Sequence, residues 1–181
     1  MKTIPLSLDG LIYVTPRFFH DDRGFFFESY HQEKFNEIGI TLPFVQDNQS
    51  HSIQGTLRGM HYQAEPYAQG KLIRVLSGSI FDVAVDIRPD SPTFGKWEGL
   101  VLSADDQAML YIPPGFAHGF YVISDRSDVL YKCTNYYNPA SEKSFRWDDP
   151  DIGIEWPILE DTTPKLSPKD AVAGAFKDLS L

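Results

Sequence analysis

Arg58 and His61 stand three residues apart in the segment 57–63, and this pairing of a cation with an imidazole is suited to proton transfer beside a bound anion. An imidazole titrates close to neutral pH, so His61 could accept and return protons, while Arg58 and the nearby Lys71 could bind negative charge. On a regular strand, residues at an odd spacing point to opposite faces. We therefore interpret Gly59 as the mark of a bulge that turns both side chains towards one site.

A second imidazole comes from the segment 112–120, in which Pro and Gly form a turn that delivers His118 to the start of a strand. This segment resembles the P-x-G-x-x-H signature of the cupin jelly-roll barrels. A metal-binding cupin would carry H-x-H in its first motif, where this chain has His61 followed by Tyr62 and Gln63. Because glutamine is a poor ligand for a transition metal, we expect the barrel without its usual metal site.

Short strands must position these residues. In the segment 79–88, apolar residues alternate with Asp82, Ala84 and Asp86, which is the period of a strand. The preceding segment 71–76 also reads as a strand, and Ser77-Gly78 between the two predicts a tight hairpin. Further candidate strands recur with turn residues between them, at 11–15, 25–30, 44–51, 56–63, 97–102, 108–112, 119–123 and 129–136. This rhythm is typical of an antiparallel sandwich or barrel.

Two helices are expected beside the strands. The first spans 31–38 and ends before Gly39. The second begins after Ser167 as N-cap, with Pro at its first position and Asp170 placed to complete a capping box. By local sequence alone, Asp170 is an ordinary cap residue. Spacing of i, i+4 and i+7 predicts one buried helix face formed by Val172, Phe176 and Leu179.

Length and charge limit the class of protein. The 181 residues are 42% hydrophobic, and 16 Lys and Arg against 25 Asp and Glu give a net charge of −9. We predict one domain over 1–181: N-terminal strands and a short helix over about 1–50, a barrel core over about 51–147, and a C-terminal segment over about 148–181. The acidic charge disfavours nucleic acid and anionic membranes as partners. With no signal peptide, no long apolar run and a single cysteine, a cytoplasmic protein is expected.

The motifs together resemble one family over nearly the whole chain, in order: 22–29 (DRGFFFES), 44–48 (FVQDN), 57–63 (LRGMHYQ), 69–72 (QGKL), 81–88 (FDVAVDIR), 91–95 (SPTFG), 112–120 (IPPGFAHGF), 130–132 (LYK), 152–157 (IGIEWP) and 166–170 (LSPKD). The chain is similar to the dTDP-4-dehydrorhamnose 3,5-epimerase family. The resemblance implies a mainly β, cupin-like antiparallel jelly-roll barrel with short flanking helices and a C-terminal helix. It further implies epimerisation of dTDP-4-dehydro-6-deoxy-D-glucose at C3 and C5 to give dTDP-4-dehydro-L-rhamnose, in dTDP-L-rhamnose biosynthesis, without a cofactor.

The resemblance also implies the catalytic residues. His61 is expected as the base, and Asp170 as the carboxylate that holds its other ring nitrogen. Tyr131 is expected as the acid on the opposite face of the sugar, because a phenol stays protonated at neutral pH. Lys71 is expected to stabilise the enolate oxygen, a charge that exists only after deprotonation.

Substrate-binding residues follow in the same way. Arg58, Arg23 and Lys169 are expected at the diphosphate, where a guanidinium fork suits paired oxygens. The residues expected around the sugar and nucleoside are Phe25, Glu28, Gln46, Asp47, Asn48, His118, Tyr137 and Glu142, with Tyr137 stacking on thymine. The family resemblance also implies a homodimer in which the strand 23–28 crosses into the partner's site.

Three alternatives remain open from the sequence. A related enzyme could epimerise only C3 or only C5 of a dTDP-4-keto-6-deoxysugar, or isomerise the ketone, with the same base and fold. A cupin-type sugar-binding module would bind without turnover and would not need His61. A metal-dependent cupin oxygenase is disfavoured by Gln63.

Overall fold

The computed structural model describes residues 1–160 and 162–179, and its strands form two large antiparallel sheets and one separate hairpin. The strands are β1 Lys2–Pro5, β2 Ile12–Thr15, β3 Phe19–Asp21, β4 Gly24–Phe26, β5 Gln46–Ile53, β6 Leu57–Gln63, β7 Lys71–Ser77, β8 Ser79–Asp86, β9 Trp97–Ser103, β10 Met109–Ile112, β11 Phe116–Val122, β12 Arg126–Cys133 and β13 Glu142–Ser144. The predicted antiparallel β architecture is confirmed.

The two sheets face each other. One has the order β1-β2-β10-β7-β12-β5, and the other has the order β13-β6-β11-β8-β9. The hairpin β3–β4 stands apart from both. Strands that are neighbours in sequence therefore often lie in different sheets.

Apolar side chains fill three layers. Ile73, Leu110 and Phe120 belong to the cluster between the sheets, to which both sheets contribute. A second cluster packs the outer face of the five-stranded sheet against the segment that contains Trp156 and Phe176. The third packs the outer face of the six-stranded sheet against the first helix and its flanking residues.

The prediction of a hairpin at Ser77-Gly78 is wrong. β7 pairs with β10 and β12, whereas β8 pairs with β11 and β9, so this turn carries the chain from one sheet to the other. Gly78 has a positive φ of 77°, and a Cβ at this position would collide with the carbonyl oxygen of Arg126. Glycine is therefore needed at this corner, although the sequence cannot distinguish a corner from a hairpin.

The apolar face of β8 points outward, away from the space between the sheets. Val83 and Val85 belong to the cluster beneath the C-terminal segment, whereas Ala84 belongs to the cluster between the sheets. Asp82 shares the inward face with Ala84 and is fully buried. β8 is thus buried on both faces, and its polar residue Asp82 lies between the two sheets.

Helices are few and short in the described residues. α1 spans Gln32–Glu37, close to the prediction, and buries Phe35. α2 spans only Pro168–Ala171, and a 3-10 turn follows at Phe176–Asp178. The C-terminal helix begins where it was predicted but is shorter than predicted. Phe176 is buried while Val172 is 81% exposed, so these residues do not form one buried helix face. No described helix has the length and apolar character needed to cross a membrane.

The other differences concern strand ends. The strand expected over 25–30 is paired only over Gly24–Phe26. β12 ends at Cys133, where the prediction extended the strand to 136, and His118 is the third residue of β11 rather than its first. The short strands β1 and β13 were not predicted, since neither shows an alternating pattern.

Candidate active site

A pocket of about 340 Å³ opens between the two sheets at the end where polar side chains replace the apolar cluster. Both sheets contribute to it, and its lining consists of Gln46, Asn48, Ser50, Arg58, His61, Tyr62, Gln63, Gln69, Lys71, His118, Phe120, Tyr131, Tyr137 and Glu142. Most residues that the sequence singled out for chemistry therefore meet in one place.

A bulge in β6 brings Arg58 and His61 to the same face, as Gly59 predicted. His118 on β11 pairs with His61 and Phe120 pairs with Arg58, so two steps along β11 correspond to three steps along β6. Gly59 has a φ of 145°, and a Cβ there would lie 2.6 Å from the Cα of Gly119. The two backbones approach closely at this point because both residues lack side chains.

His61 and Asp170 form the first carboxylate–imidazole pair of the site. Nε2 of His61 lies 2.6 Å from Oδ1 of Asp170, which is buried. Burial raises the pKa of Asp170, but the hydrogen bond and attraction to His61, together with the contributions of Ser167 and Lys169, outweigh it and leave the pKa below its usual value. Ser167 caps α2 by accepting a hydrogen bond from the Asp170 backbone, so the carboxylate is turned to His61. The cap and the pairing coexist, and Nδ1 is the ring nitrogen left for the pocket.

Lys71 and Tyr131 come from the facing sheet. They lie on the neighbouring strands β7 and β12, where Lys71 pairs with Cys133, two residues from Tyr131. Burial lowers the pKa of Lys71, an effect that Cys133, Asp82 and Glu142 oppose. Burial has the opposite effect on Tyr131 and raises the pKa of its phenol. The site thus offers a buried lysine beside a phenol whose raised pKa favours its protonated form.

A second carboxylate–imidazole pair lies deeper and was not predicted. Nε2 of His118 lies 2.6 Å from Oδ1 of Asp82, and both side chains are buried. Burial lowers the pKa of His118, and the attraction to Asp82 opposes the shift. Oδ2 of Asp82 has no hydrogen-bond partner among the described residues. The signal in the sequence was an Asp inside a hydrophobic strand, a residue type that is seldom buried without a specific partner.

The rim of the pocket is organised by Glu142. Its carboxylate accepts hydrogen bonds from the Tyr137 hydroxyl at 2.9 Å, and pairs with Lys169 at 2.6 Å. Burial raises the pKa of Glu142, but the hydrogen bonds from Lys169 and Tyr137 lower it overall. The Tyr137 backbone also donates to the Gln46 side chain at 2.9 Å. Tyr137, Glu142 and Lys169 are therefore held together by direct side-chain contacts.

Five of the predicted binding residues do not line this pocket: Arg23, Phe25, Glu28, Asp47 and Lys169, the last of which pairs with Glu142 at the rim. Arg23 and Phe25 belong to the β3–β4 hairpin, where the Arg23 side chain is 90% exposed and pairs with Asp21. Glu28 pairs instead with Lys34.

Asp47 is also outside the pocket lining. The sequence grouped it with Gln46 and Asn48, but alternate residues of β5 face opposite ways. Asp47 points away from the pocket and binds Lys132 at 2.9 Å.

No three His, Cys, Asp or Glu side chains converge to hold a metal ion within residues 1–160 and 162–179. Gln63 occupies the position where a metal cupin has its second histidine. Its side-chain amide is engaged by backbone groups of two loops, Tyr67 at 2.6 Å and Asn138 at 2.7 Å.

Comparison with known proteins gives a consistent answer. A family model described as dTDP-4-dehydrorhamnose 3,5-epimerase matches residues 5–178. The chain belongs to the dTDP-4-dehydrorhamnose 3,5-epimerase family. It is 52% identical, over 174 residues, to the protein of that name from Salmonella typhimurium, covering 96% of this chain and 94% of the relative.

Solved structures agree with this family assignment. A dTDP-6-deoxy-D-glucose-3,5-epimerase from Legionella pneumophila, solved with dTDP-4-keto-L-rhamnose, shares 49% identity and a TM-score of 0.94, over 99% of this chain and 94% of the other. A 3'-monoepimerase from Streptomyces bikiniensis, solved with dTDP-quinovose, shares 37% identity and a TM-score of 0.87, over 94% and 86% of the two chains.

These matches confirm three predictions from the sequence. The family resemblance, the cupin-like jelly-roll fold class and the interpretation of the chain as an epimerase of this family all hold. They favour the epimerase over the sugar-binding module and the metal-dependent oxygenase.

Proposed function

We propose that this epimerase inverts C3 and C5 of dTDP-4-dehydro-6-deoxy-D-glucose to give dTDP-4-dehydro-L-rhamnose, a step of dTDP-L-rhamnose biosynthesis. The observation that carries the proposal is the arrangement across the pocket. The His61–Asp170 pair comes from one side, while Tyr131 and Lys71 come from the facing sheet. A base and an acid on opposite faces of a sugar ring are what inversion next to a ketone requires.

His61 is proposed to take the proton from C3 or C5. The ionised carboxylate of Asp170 accepts from Nε2 and stabilises the imidazolium that forms. The negative charge moves to the oxygen on C4, where the buried ammonium of Lys71 stabilises it. Tyr131 then donates its proton to the opposite face of the carbanion. The imidazolium of His61 then releases its proton to solvent, Tyr131 takes a proton from solvent, and the cycle repeats at the second carbon.

The nucleotide is proposed to lie along the rim. Arg58 bears no carboxylate partner among the described residues, since its guanidinium donates to Ser52 Oγ at 3.0 Å and to the His51 carbonyl oxygen. It is therefore available to the diphosphate, as is Lys169 once it leaves Glu142. Tyr137, which is 53% exposed, offers its ring to thymine, and His118, Gln46 and Asn48 line the neighbouring wall.

The homodimer with shared sites is part of the same proposal. Phe25 and Phe26 expose 56% and 68% of their surface on the β3–β4 hairpin, and exposed aromatic residues in such a cluster favour a partner surface. Arg23, Phe25 and Glu28 take no part in the pocket of their own chain. We propose that they complete the pocket of a second copy. We also propose a cytoplasmic location. It is consistent with the single cysteine, Cys133, which is buried and forms no disulfide that would need an oxidising compartment.

Turnover in deuterated water tests the reaction. Product from dTDP-4-dehydro-6-deoxy-D-glucose is captured by a coupled reductase, and NMR counts the deuterium at C3 and C5. Deuterium at both carbons with inverted configuration supports the proposal. Label and inversion at one carbon only would assign the chain to the monoepimerases, to which it is also structurally similar. No label and no product would refute both.

A further inference from the structure

Gln63 is the last residue of β6, and only 8% of its surface is exposed. Its side-chain amide binds three backbone groups. Nε2 donates to the carbonyl oxygens of Tyr67 at 2.6 Å and Tyr136 at 3.2 Å, and Oε1 accepts from the backbone N–H of Asn138 at 2.7 Å. Both hydrogens of the amide and its oxygen are therefore in use.

These hydrogen bonds join two loops that flank the pocket, residues 64–70 and residues 134–141. Two further amides link the same loops: Gln69 donates to the Asn135 carbonyl at 2.7 Å, and Asn135 donates to the Pro66 carbonyl at 3.4 Å. Gln63 is the most buried of these amides and bonds on both sides of Tyr137. The 134–141 loop is thus fixed to the barrel by side-chain amides.

The aromatic residues of this loop have little packing to hold them. Tyr136 is 64% exposed and Tyr137 is 53% exposed, so apart from the hydrogen bond between the Tyr137 hydroxyl and Glu142 their positions depend on the backbone beneath them. Gln63 binds the carbonyl before Tyr137 and the N–H after it, which fixes both peptide units that flank the residue. A displaced loop would move the ring without breaking the hydrogen bond between His61 and the buried Asp170.

We propose that Gln63 is a positioning residue that fixes the Tyr137 ring for stacking on the nucleobase of the substrate. This inference rests on the proposed function, because it assumes a thymidine nucleotide at the rim. Loss of the amide therefore weakens nucleotide binding while leaving proton transfer intact. A residue with a merely structural role would lower stability without separating KM from kcat.

Two variants of Gln63 test the inference. Gln63→Met removes all three hydrogen bonds at similar volume, and Gln63→Glu keeps the acceptor for Asn138 while placing a carboxylate against two carbonyl oxygens. Both should raise the KM for the dTDP-sugar and the Kd for dTDP about tenfold, with kcat within about twofold of the parent. Gln54→Met is the matched control, since Gln54 also ties two turns by an amide, donating to Ile123 at 2.8 Å, outside the pocket. It should leave both constants unchanged.

A double-mutant cycle separates positioning of Tyr137 from direct contact. On a Tyr137→Ala background, Gln63→Met should weaken dTDP binding less than about twofold, because the ring that it positions is absent. An equal loss on both backgrounds, or a fall in kcat with unchanged Kd, would overturn the inference.

If Gln63→Met does not fold, Asn135→Ala applies the same test to the hydrogen bond between Asn135 and the Pro66 carbonyl oxygen. A parent chain that neither binds dTDP nor turns over the sugar refutes the proposed function; an active parent with unaffected Gln63 variants refutes only this inference.

Discussion

Nε2 of His61 lies 2.6 Å from Oδ1 of Asp170, although 109 residues separate them along the chain. Two connections bring Asp170 to β6. Near one end, the Leu57 N–H donates to the Lys165 carbonyl oxygen at 3.0 Å, and the Lys165 N–H donates to the Gly55 carbonyl oxygen at 2.8 Å. Near the other end, the Phe176 N–H donates to the buried carboxylate of Asp149 at 2.8 Å. The imidazole is thus oriented by a carboxylate that only the folded C-terminal segment supplies.

Replacing Asp170 by Asn should lower kcat by roughly 10²–10⁴-fold, because a neutral amide cannot stabilise the imidazolium. The measurement is kcat together with deuterium exchange at C3, both of which should fall. Ser167→Ala is the control: it removes the cap of α2, which typically costs about 1 kcal/mol, but keeps the carboxylate. If the two variants lose activity equally, Asp170 acts only as part of the cap and its catalytic role is refuted.

Tyr131→Phe should preserve substrate binding and His61-dependent proton exchange while abolishing inverted product. The phenyl ring keeps the packing of Tyr131 but cannot donate a proton. Stereochemical analysis of the recovered sugar, alongside its deuterium content, distinguishes exchange from inversion. Epimerised product at the parental rate would show that another group is the acid.

Asp82→Asn should shift the alkaline limit of activity to lower pH. The pKa of Lys71 is already lowered by burial, and Asp82 is one of the negative groups that oppose this, with Cys133 and Glu142. Removing its charge lowers the Lys71 pKa further, so the ammonium deprotonates at lower pH and enolate stabilisation is lost sooner. The amide oxygen can still accept from His118, which keeps the geometry.

The measurement for this variant is the pH profile of kcat. Asp128→Asn, which alters a carboxylate paired with His51 away from the pocket, is the control and should leave the profile unchanged. An alkaline limit that stays in place or moves to higher pH in Asp82→Asn contradicts the coupling of Asp82 to Lys71.

Gly59→Ala should lower the free energy of unfolding by roughly 1–3 kcal/mol and reduce activity, because the new methyl group forces β6 away from Gly119. Chemical denaturation measures the change. Gly153→Ala has a positive φ of 66° but open space, so it should cost only about 1 kcal/mol. Gly174→Ala meets nothing within 4 Å and should be neutral. Equal stability of all three variants would mean that the close approach of the strands is unimportant.

Mixing two inactive variants tests the shared site. In a homodimer whose hairpin completes the partner's pocket, His61→Asn and Arg23→Ala chains together form one intact site per mixed dimer. Random exchange of subunits should then restore about one quarter of the parental activity, because half of the dimers are mixed. The controls are each variant alone and the mixture of the two assayed before their subunits exchange. No recovery after exchange would place Arg23 in the site of its own chain or outside any site.

Local patterns predicted the parts of the fold that depend on local rules. The bulge at Gly59 and the cap at Ser167 follow from backbone preferences of single residues, and the alternation of 79–88 correctly indicated β8. The hairpin at 77–78 failed because a turn does not specify which sheet the next strand joins. Asp82 was missed because alternation alone does not say which face of a doubly buried strand meets the pocket.

The pairing of residues far apart in the sequence was predicted from family motifs rather than from periodicity. Local sequence gives no reason for Asp170 to meet His61, since the cap explains the residue by itself. Gln63 was recognised only as a poor metal ligand, and its use as a link between loops depends on backbone groups that no pattern marks.

The C-terminal segment also affects the order in which the site is assembled during synthesis. Every strand of the two sheets lies between residues 2 and 144 in the described chain, so the barrel can pair before residue 170 leaves the ribosome. Such a nascent barrel already contains Lys71, Tyr131 and His61, but His61 still lacks its carboxylate. The His61–Asp170 hydrogen bond is therefore among the last contacts of the site to form, after the sheets that carry its other residues have paired.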